Sequence, residues 1–169
     1  MDRTSVLGFL VTTGMVLSVL QGSALGQQRT LSDQLIGTWT LVSWEQKKAD
    51  GARLELYGPN PTGIAFFDAG GRYIITVMRP DRARYASNTL RQGTAEENKE
   101  TADGTITYFG AYTVSEGDRS IDIFVEGSSF PNWNGTRQKR FVTVTEDQLT
   151  LTVRPAGGDA VDVIWKRAP

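Results

Sequence analysis

The sequence predicts an all-β fold: a closed antiparallel β-barrel of eight to nine strands with one short helix. Three observations predict it. Apolar and polar residues alternate along most of the chain from Thr38 to Arg167, which is the period of a strand. The links between these runs are short and rich in Gly, Pro, Asp and Asn. No helical pattern separates successive runs in the way that parallel crossovers require. Closure also removes edge strands, a recurring hazard of an open sheet. A two-sheet sandwich is the alternative architecture.

Taken in order, residues 1–26 read as an export signal and residues 27–169 as one barrel domain. The apolar stretch from Val6 to Leu20 is short for a membrane span of roughly 20 residues and suits a signal core. Ala24 and Gly26 put small residues at −3 and −1 for cleavage before Gln27. Gly14 and two threonines make the stretch a mediocre anchor, and a lipoprotein would need a cysteine. The expectation is a periplasmic or secreted protein with no stable membrane insertion once the signal is removed.

Beyond the leader, Ser32 is placed to cap a short turn carrying Leu35 and Ile36 before Gly37. Thr38 to Glu45 alternates, with Trp39 and Leu41 on one face and Val42 and Trp44 on the other. Ala52 to Tyr57 is a weaker strand, and GPNPTG at 58–63 is a turn. Ile64 to Asp68 and Arg72 to Arg79 form a hairpin through DAGG, whose glycines accept positive φ. The rhythm breaks over 80–105. There Thr94 and Glu97 make a capping box, and Ala95, Ala102 and Ile106 fit one face of a short helix. Period two returns in 106–114, 120–126, 137–145, 148–154 and 161–167, a meander of neighbouring antiparallel strands.

Composition removes several chemistries. The chain has no cysteine and no histidine. Thiol nucleophiles, disulfides, iron–sulfur clusters, histidine bases and the usual zinc cages are therefore excluded. The net charge is −1 and stays so after the leader goes, because Asp2 and Arg3 leave together. A near-neutral domain gives no support for a nucleic-acid partner.

Several motifs carry a resemblance. Gly37-Thr38-Trp39 is the G-x-W that opens lipocalin-type barrels, and the last strand ends Trp165-Lys166-Arg167. Longer runs accompany them: YGPNPTG at 57–63, MRPDR at 78–82, FGAYTV at 109–114 and VEGSSFPNWNGTRQKR at 125–140. Together these resemble the bacterial and fungal lipocalin-like domain family, from about Leu35 to Arg167. The resemblance implies a calycin-like barrel around an internal pocket, closed at its base by Arg167 stacked on Trp39. It implies no shared reaction. Many relatives carry a histidine where this chain reads SIDIF at 120–124, so functions that need that imidazole are not expected here.

Candidate ligand-binding residues come from the strands and their ends. Ile121, Ile123 and Val125 alternate with Asp122, Phe124 and Glu126, and periodicity does not choose which set faces inward. If the second set lines the cavity, two carboxylates enter it, and Arg140 on the next strand is the natural partner for Glu126 or Asp122. On the outside the same residues make an ordinary surface ion pair. Arg79 and Arg82, flanking Pro80 and Asp81, form either a rim network or a pocket mouth. Tyr108 and Tyr112 share one side of their strand, and Trp133 folds over an open end or against the outer wall. The leading expectation is a module that binds a small apolar or aromatic molecule, without cofactor or metal. The alternative is a cofactor-independent isomerase or cyclase, with Glu126 or Asp122 as acid–base and tyrosines or arginines stabilising charge.

Overall fold

The computed structural model describes residues 29–169, so the predicted export signal and its cleavage point before Gln27 lie outside the described residues. Nine strands occur among the described residues, at the nine places where period two predicts them. They are β1 (Gly37–Lys47), β2 (Arg53–Glu55), β3 (Thr62–Phe67), β4 (Arg72–Met78), β5 (Thr105–Ser115), β6 (Ser120–Ser128), β7 (Arg137–Val144), β8 (Gln148–Val153) and β9 (Ala160–Arg167). All pairings are antiparallel, and β3 to β9 follow one another around the sheet. β1 then joins β3 to β9 and closes the cylinder. β1 has three partners because it is long. Gly37 to Thr40 pair with β3, Glu45 to Lys47 pair with β2, and β9 runs along its other edge. β2 is thus an outer ninth strand on an eight-stranded barrel.

Two bulges decide which side chains look inward. In β1 the register shifts between Leu41 and Ser43, leaving Val42 as an extra residue pushed outward to 50% exposure. Trp39 and Leu41 face the interior before the bulge, and Trp44 faces it after, so Trp44 joins the face opposite to the one that strict alternation assigns. In β6 the shift opposite Phe109 and Gly110 makes Glu126 the extra residue. Gly110 is required at that crossing, since a Cβ there would stand 1.9 Å from the Phe124 carbonyl oxygen. The interior is then one apolar core of Trp39, Phe67, Ile75, Val77, Ile121, Ile123, Val125, Leu149, Leu151 and Trp165, with companions on every barrel strand.

One short helix precedes β1, a second lies between β4 and β5, and a 3₁₀ turn joins β6 to β7. Helix α1 (Leu31–Leu35) is capped by Thr30, not Ser32: Thr30 Oγ1 accepts from the Asp33 amide, and Asp33 reaches back in a capping box. Ser32 lies one residue inside the helix. Its amide and that of Leu31 both donate to the Glu116 carboxylate from the β5–β6 turn. Helix α2 (Ala95–Asp103) begins at the Thr94/Glu97 capping box that the sequence predicts. None of its residues is buried, and Ile106 is a core residue of β5 and not part of a helical face. A short 3₁₀ turn, Pro131–Trp133, sits between β6 and β7. None of the helices among the described residues is long and apolar enough to cross a membrane.

Candidate ligand cavity

The two barrel ends differ. At the end beneath α1, Trp39 is fully buried and the Arg167 guanidinium lies 4.0 Å above its ring. Arg167 also donates to the carbonyls of Gln34, Ile36 and Glu146, and the Trp39 indole donates to Leu35. Leu31 and Leu35 pack beneath, so this end is plugged. A guanidinium held both by an indole face and by three carbonyls has little freedom to leave.

The opposite end is open. There a cavity of about 530 Å³ is lined by Trp44, Leu56, Trp133, Gln138, Lys139, Arg140, Val153, Arg154 and Val161. The volume lies within the range of small-molecule sites. Two tryptophans stand on its wall, each backed by a tyrosine. Trp44 packs against Tyr57 with ring centroids 5.1 Å apart, and Trp133 meets Tyr108 edge to face at 5.3 Å. From Tyr108 the contacts run on to Tyr73, Phe67 and Tyr112, a continuous aromatic column down the barrel. Sequence reasoning passed over Trp44, Leu56, Tyr57, Tyr73 and Gln138. The Trp44 signal was hidden by the β1 bulge, while Tyr57 stood in plain view at the head of YGPNPTG.

Arg140 is the polar centre of this interior. It is 7% exposed, opposite Ile121 in the β6–β7 ladder, and shares the inner face of β7 with Gln138, Val142 and Val144. Its guanidinium donates to Gln138 Oε1 at 2.5 Å and to the Lys139 carbonyl at 3.1 Å. It makes no salt bridge among the described residues. Burial pushes the Tyr108 phenol up from its ordinary value, and the nearby Arg140 charge offsets only part of that. Tyr73 is raised for the same reason, and burial lifts Tyr57 to about 12. All three phenols are therefore neutral and protonated at physiological pH.

The structure separates Arg140 from the carboxylates proposed as its partners. The aliphatic residues of β6 take the interior, so Asp122, Phe124 and Glu126 lie on the outer wall. Glu126, displaced by the bulge, forms a two-pronged pair with Arg72 of β4 at 2.5 and 2.7 Å, and does not meet Arg140. Arg72 reaches it across the short Ala111 of β5. Asp122 stands opposite Lys139, and Arg137 covers the Phe124 ring. The expected Glu126–Arg140 pair is thus corrected: an inward Arg140 and an outward Glu126 follow from the β6 register and its bulge.

Of the remaining candidates, only Trp133 joins Arg140 in the cavity lining. Tyr108 packs directly behind it, and Tyr112 lies deeper, its hydroxyl bonded to the Asp68 carbonyl at 2.7 Å. Arg79 and Arg82 lie outside the cavity. Arg79 pairs with Asp81, and its amide prolongs the β4–β5 ladder by donating to Gly104. Arg82 gives its donors to the Arg79 carbonyl, Thr105 Oγ1 and Met78 Sδ, tying the long 80–104 connection to the ends of β4 and β5.

An eight-stranded antiparallel cylinder, plugged at one end and hollow at the other, is a lipocalin-like barrel of a form consistent with small-molecule binding. The chain belongs to the lipocalin-like domain family, whose profile matches residues 36–168. It is 32% identical to the 4'-hydroxy-3'-methoxypropiophenone carrier protein ppsC of Aspergillus oryzae (strain ATCC 42149 / RIB 40), a match covering 55% of this chain and 94% of that protein. Among solved structures it is distantly similar to a redesigned beta barrel, at 14% identity and a TM-score of 0.42, covering 83% of this chain and 96% of the other. A de novo designed fluorescence-activating beta barrel matches at the same identity and TM-score, over 83% of this chain and all of the other.

Proposed function

We propose that this protein is an exported carrier that holds a small aromatic molecule in the open end of its barrel. The observation that carries the reading is the cavity itself: tryptophans on its wall, a tyrosine column behind it, and one buried arginine to orient a polar group. The fungal relative is named as a carrier of an aromatic ketone that also bears a hydroxyl, a ligand of the size and character such a cavity suits. The isomerase or cyclase alternative has less support, because Glu126 and Asp122, its acid–base candidates, lie on the outer wall.

Binding is tested by titrating the protein with 4'-hydroxy-3'-methoxypropiophenone and following tryptophan fluorescence. Quenching that saturates, and that weakens at least tenfold (about 1.4 kcal/mol) in Val153→Trp, is the expected result. A signal that does not saturate, or that ignores the filled cavity, removes the carrier reading. Export rests on the apolar stretch from Val6 to Leu20 followed by Ala24 and Gly26. Protein recovered from periplasm or medium should begin, by intact mass, at or near Gln27. Recovery of full-length protein only from membranes would count against export.

A further inference from the structure

We infer that the cavity selects anionic aromatic ligands, seating a ring-bound oxyanion (carboxylate or phenolate) on the guanidinium of Arg140. The inference rests on the carrier reading and narrows its ligand class. Arg140 is buried, its charge unpaired by any carboxylate among the described residues. A buried charge without a counter-charge is unfavourable by itself, so its retention calls for a partner that arrives from outside. The other charged residues on the cavity lining, Lys139 and Arg154, are also basic, although the chain as a whole carries a net charge of −1. Lys139 contacts Asp118 at 3.4 Å on the outer wall, which leaves Arg140 as the interior charge.

The neutral polar groups point the same way. Trp44 Nε1 and the Tyr73 hydroxyl are buried and have no hydrogen-bond partner among the described residues. An indole N–H can only donate, and a buried tyrosine held protonated keeps its proton available to an acceptor. Gln138 Oε1, on the cavity lining, already accepts from Arg140. The interior therefore offers donors without a partner and one positive charge without a counter-charge, and among the described residues the cavity lining holds no carboxylate to receive a ligand's ammonium group. The oxyanion of an aromatic acid or phenol fills both deficits at once, and its ring lies against Trp44 and Trp133.

The test uses matched pairs in which charge changes and shape hardly does: 4-methoxybenzoate against its methyl ester, and 4-nitrophenolate against 4-nitroanisole. Each is titrated by tryptophan fluorescence or calorimetry into the protein, Arg140→Met and Arg140→Lys. The expected result is an anion preference of at least tenfold in one or both pairs, reduced to within twofold in Arg140→Met and partly retained in Arg140→Lys. The melting temperature of Arg140→Met should match or exceed that of the parent, because an unpaired buried charge is removed. Equal affinity for anion and neutral partner overturns the inference and leaves the carrier reading standing. Preference that persists in Arg140→Met also overturns it. Failure of all four compounds to bind removes both readings. The comparison in the unaltered protein needs no variant, so a misfolded substitution cannot obscure the outcome.

Discussion

Trp39 and Arg167 show how much one contact contributes when a fully buried indole meets a half-buried guanidinium. The indole is buried, stacked and hydrogen-bonded to Leu35, and the guanidinium adds three carbonyl bonds. Trp39→Ala should destabilise by about 3–5 kcal/mol, as for a large aromatic removed from a core. Arg167→Ala should lose less, and a double-mutant cycle in urea should give a coupling of about 1 kcal/mol; strict additivity would deny the contact an energetic role. The outer face of β9 offers a second measurable residue. Burial pushes the Asp162 carboxyl up, but the Lys47 and Thr152 hydrogen bonds, with the Lys47 and Arg53 charges, more than reverse this and leave it below its usual value. A lowered folded-state value stabilises the fold fully above the unfolded carboxyl value of about 4, and that gain is lost as pH falls through the folded value. Lys47→Met should therefore melt lower than the parent at pH 7, and the gap should narrow as pH falls below about 4. A gap constant from pH 7 to 3 would assign the loss to packing alone. These single residues were the least legible part of the chain. Gly37-Thr38-Trp39 and the terminal Arg167 are visible as motif positions, whereas the inward turn of Arg140 depends on a register that alternation alone leaves undecided.

Strands and helices were far more legible than their facing. Each of the nine strands lies where period two places it, because half-buried antiparallel strands write that period directly into sequence. In β4, Tyr73, Ile75 and Val77 turn inward while Ile74 and Met78 turn out, yet both sets are apolar and the sequence carries no contrast between them. In β1 and β6 a single extra residue reverses the phase, and nothing in Val42 or Glu126 announces a bulge. The α2 capping box was readable since it is a local exchange of hydrogen bonds over four residues. Its apolar face was not real, because Ile106 had already left the helix for β5. With none of its residues buried, α2 relies on its cap, a Lys99–Asp103 pair and the hydrogen bonds that Tyr85 and Ala86 donate to Asn98 and Glu97. Amides of residues 80–104 should accordingly exchange faster than those of β5 to β8, despite the anchoring by Arg82. Equally slow exchange across both would make this connection a rigid, docked part of the barrel.

At the scale of the molecule, the closed meander was legible because its links are too short for anything but antiparallel neighbours. The cavity was not, since it is made by residues from β1, the β2–β3 connection, the 3₁₀ turn, β7, β8 and β9 that no local pattern associates. On the carrier reading, one feature of the wall bears on the rate at which a cargo is exchanged. Closure of the cylinder belongs to β1 with β9 and β1 with β3, while β2 is joined by three residue pairs, an Arg53–Glu45 ion pair and the Leu56 amide bonded to Trp44. Arg53, Leu54 and Glu55 are all exposed, and Leu56, just beyond them, stands on the cavity lining. This stretch of the cavity wall is therefore held by fewer residue pairs than either closing ladder. The carrier reading therefore predicts a residence time set by the short 47–53 hairpin and a thermal stability set by the cylinder behind it. Substitutions in the hairpin should then shorten or lengthen the one and leave the other where it was.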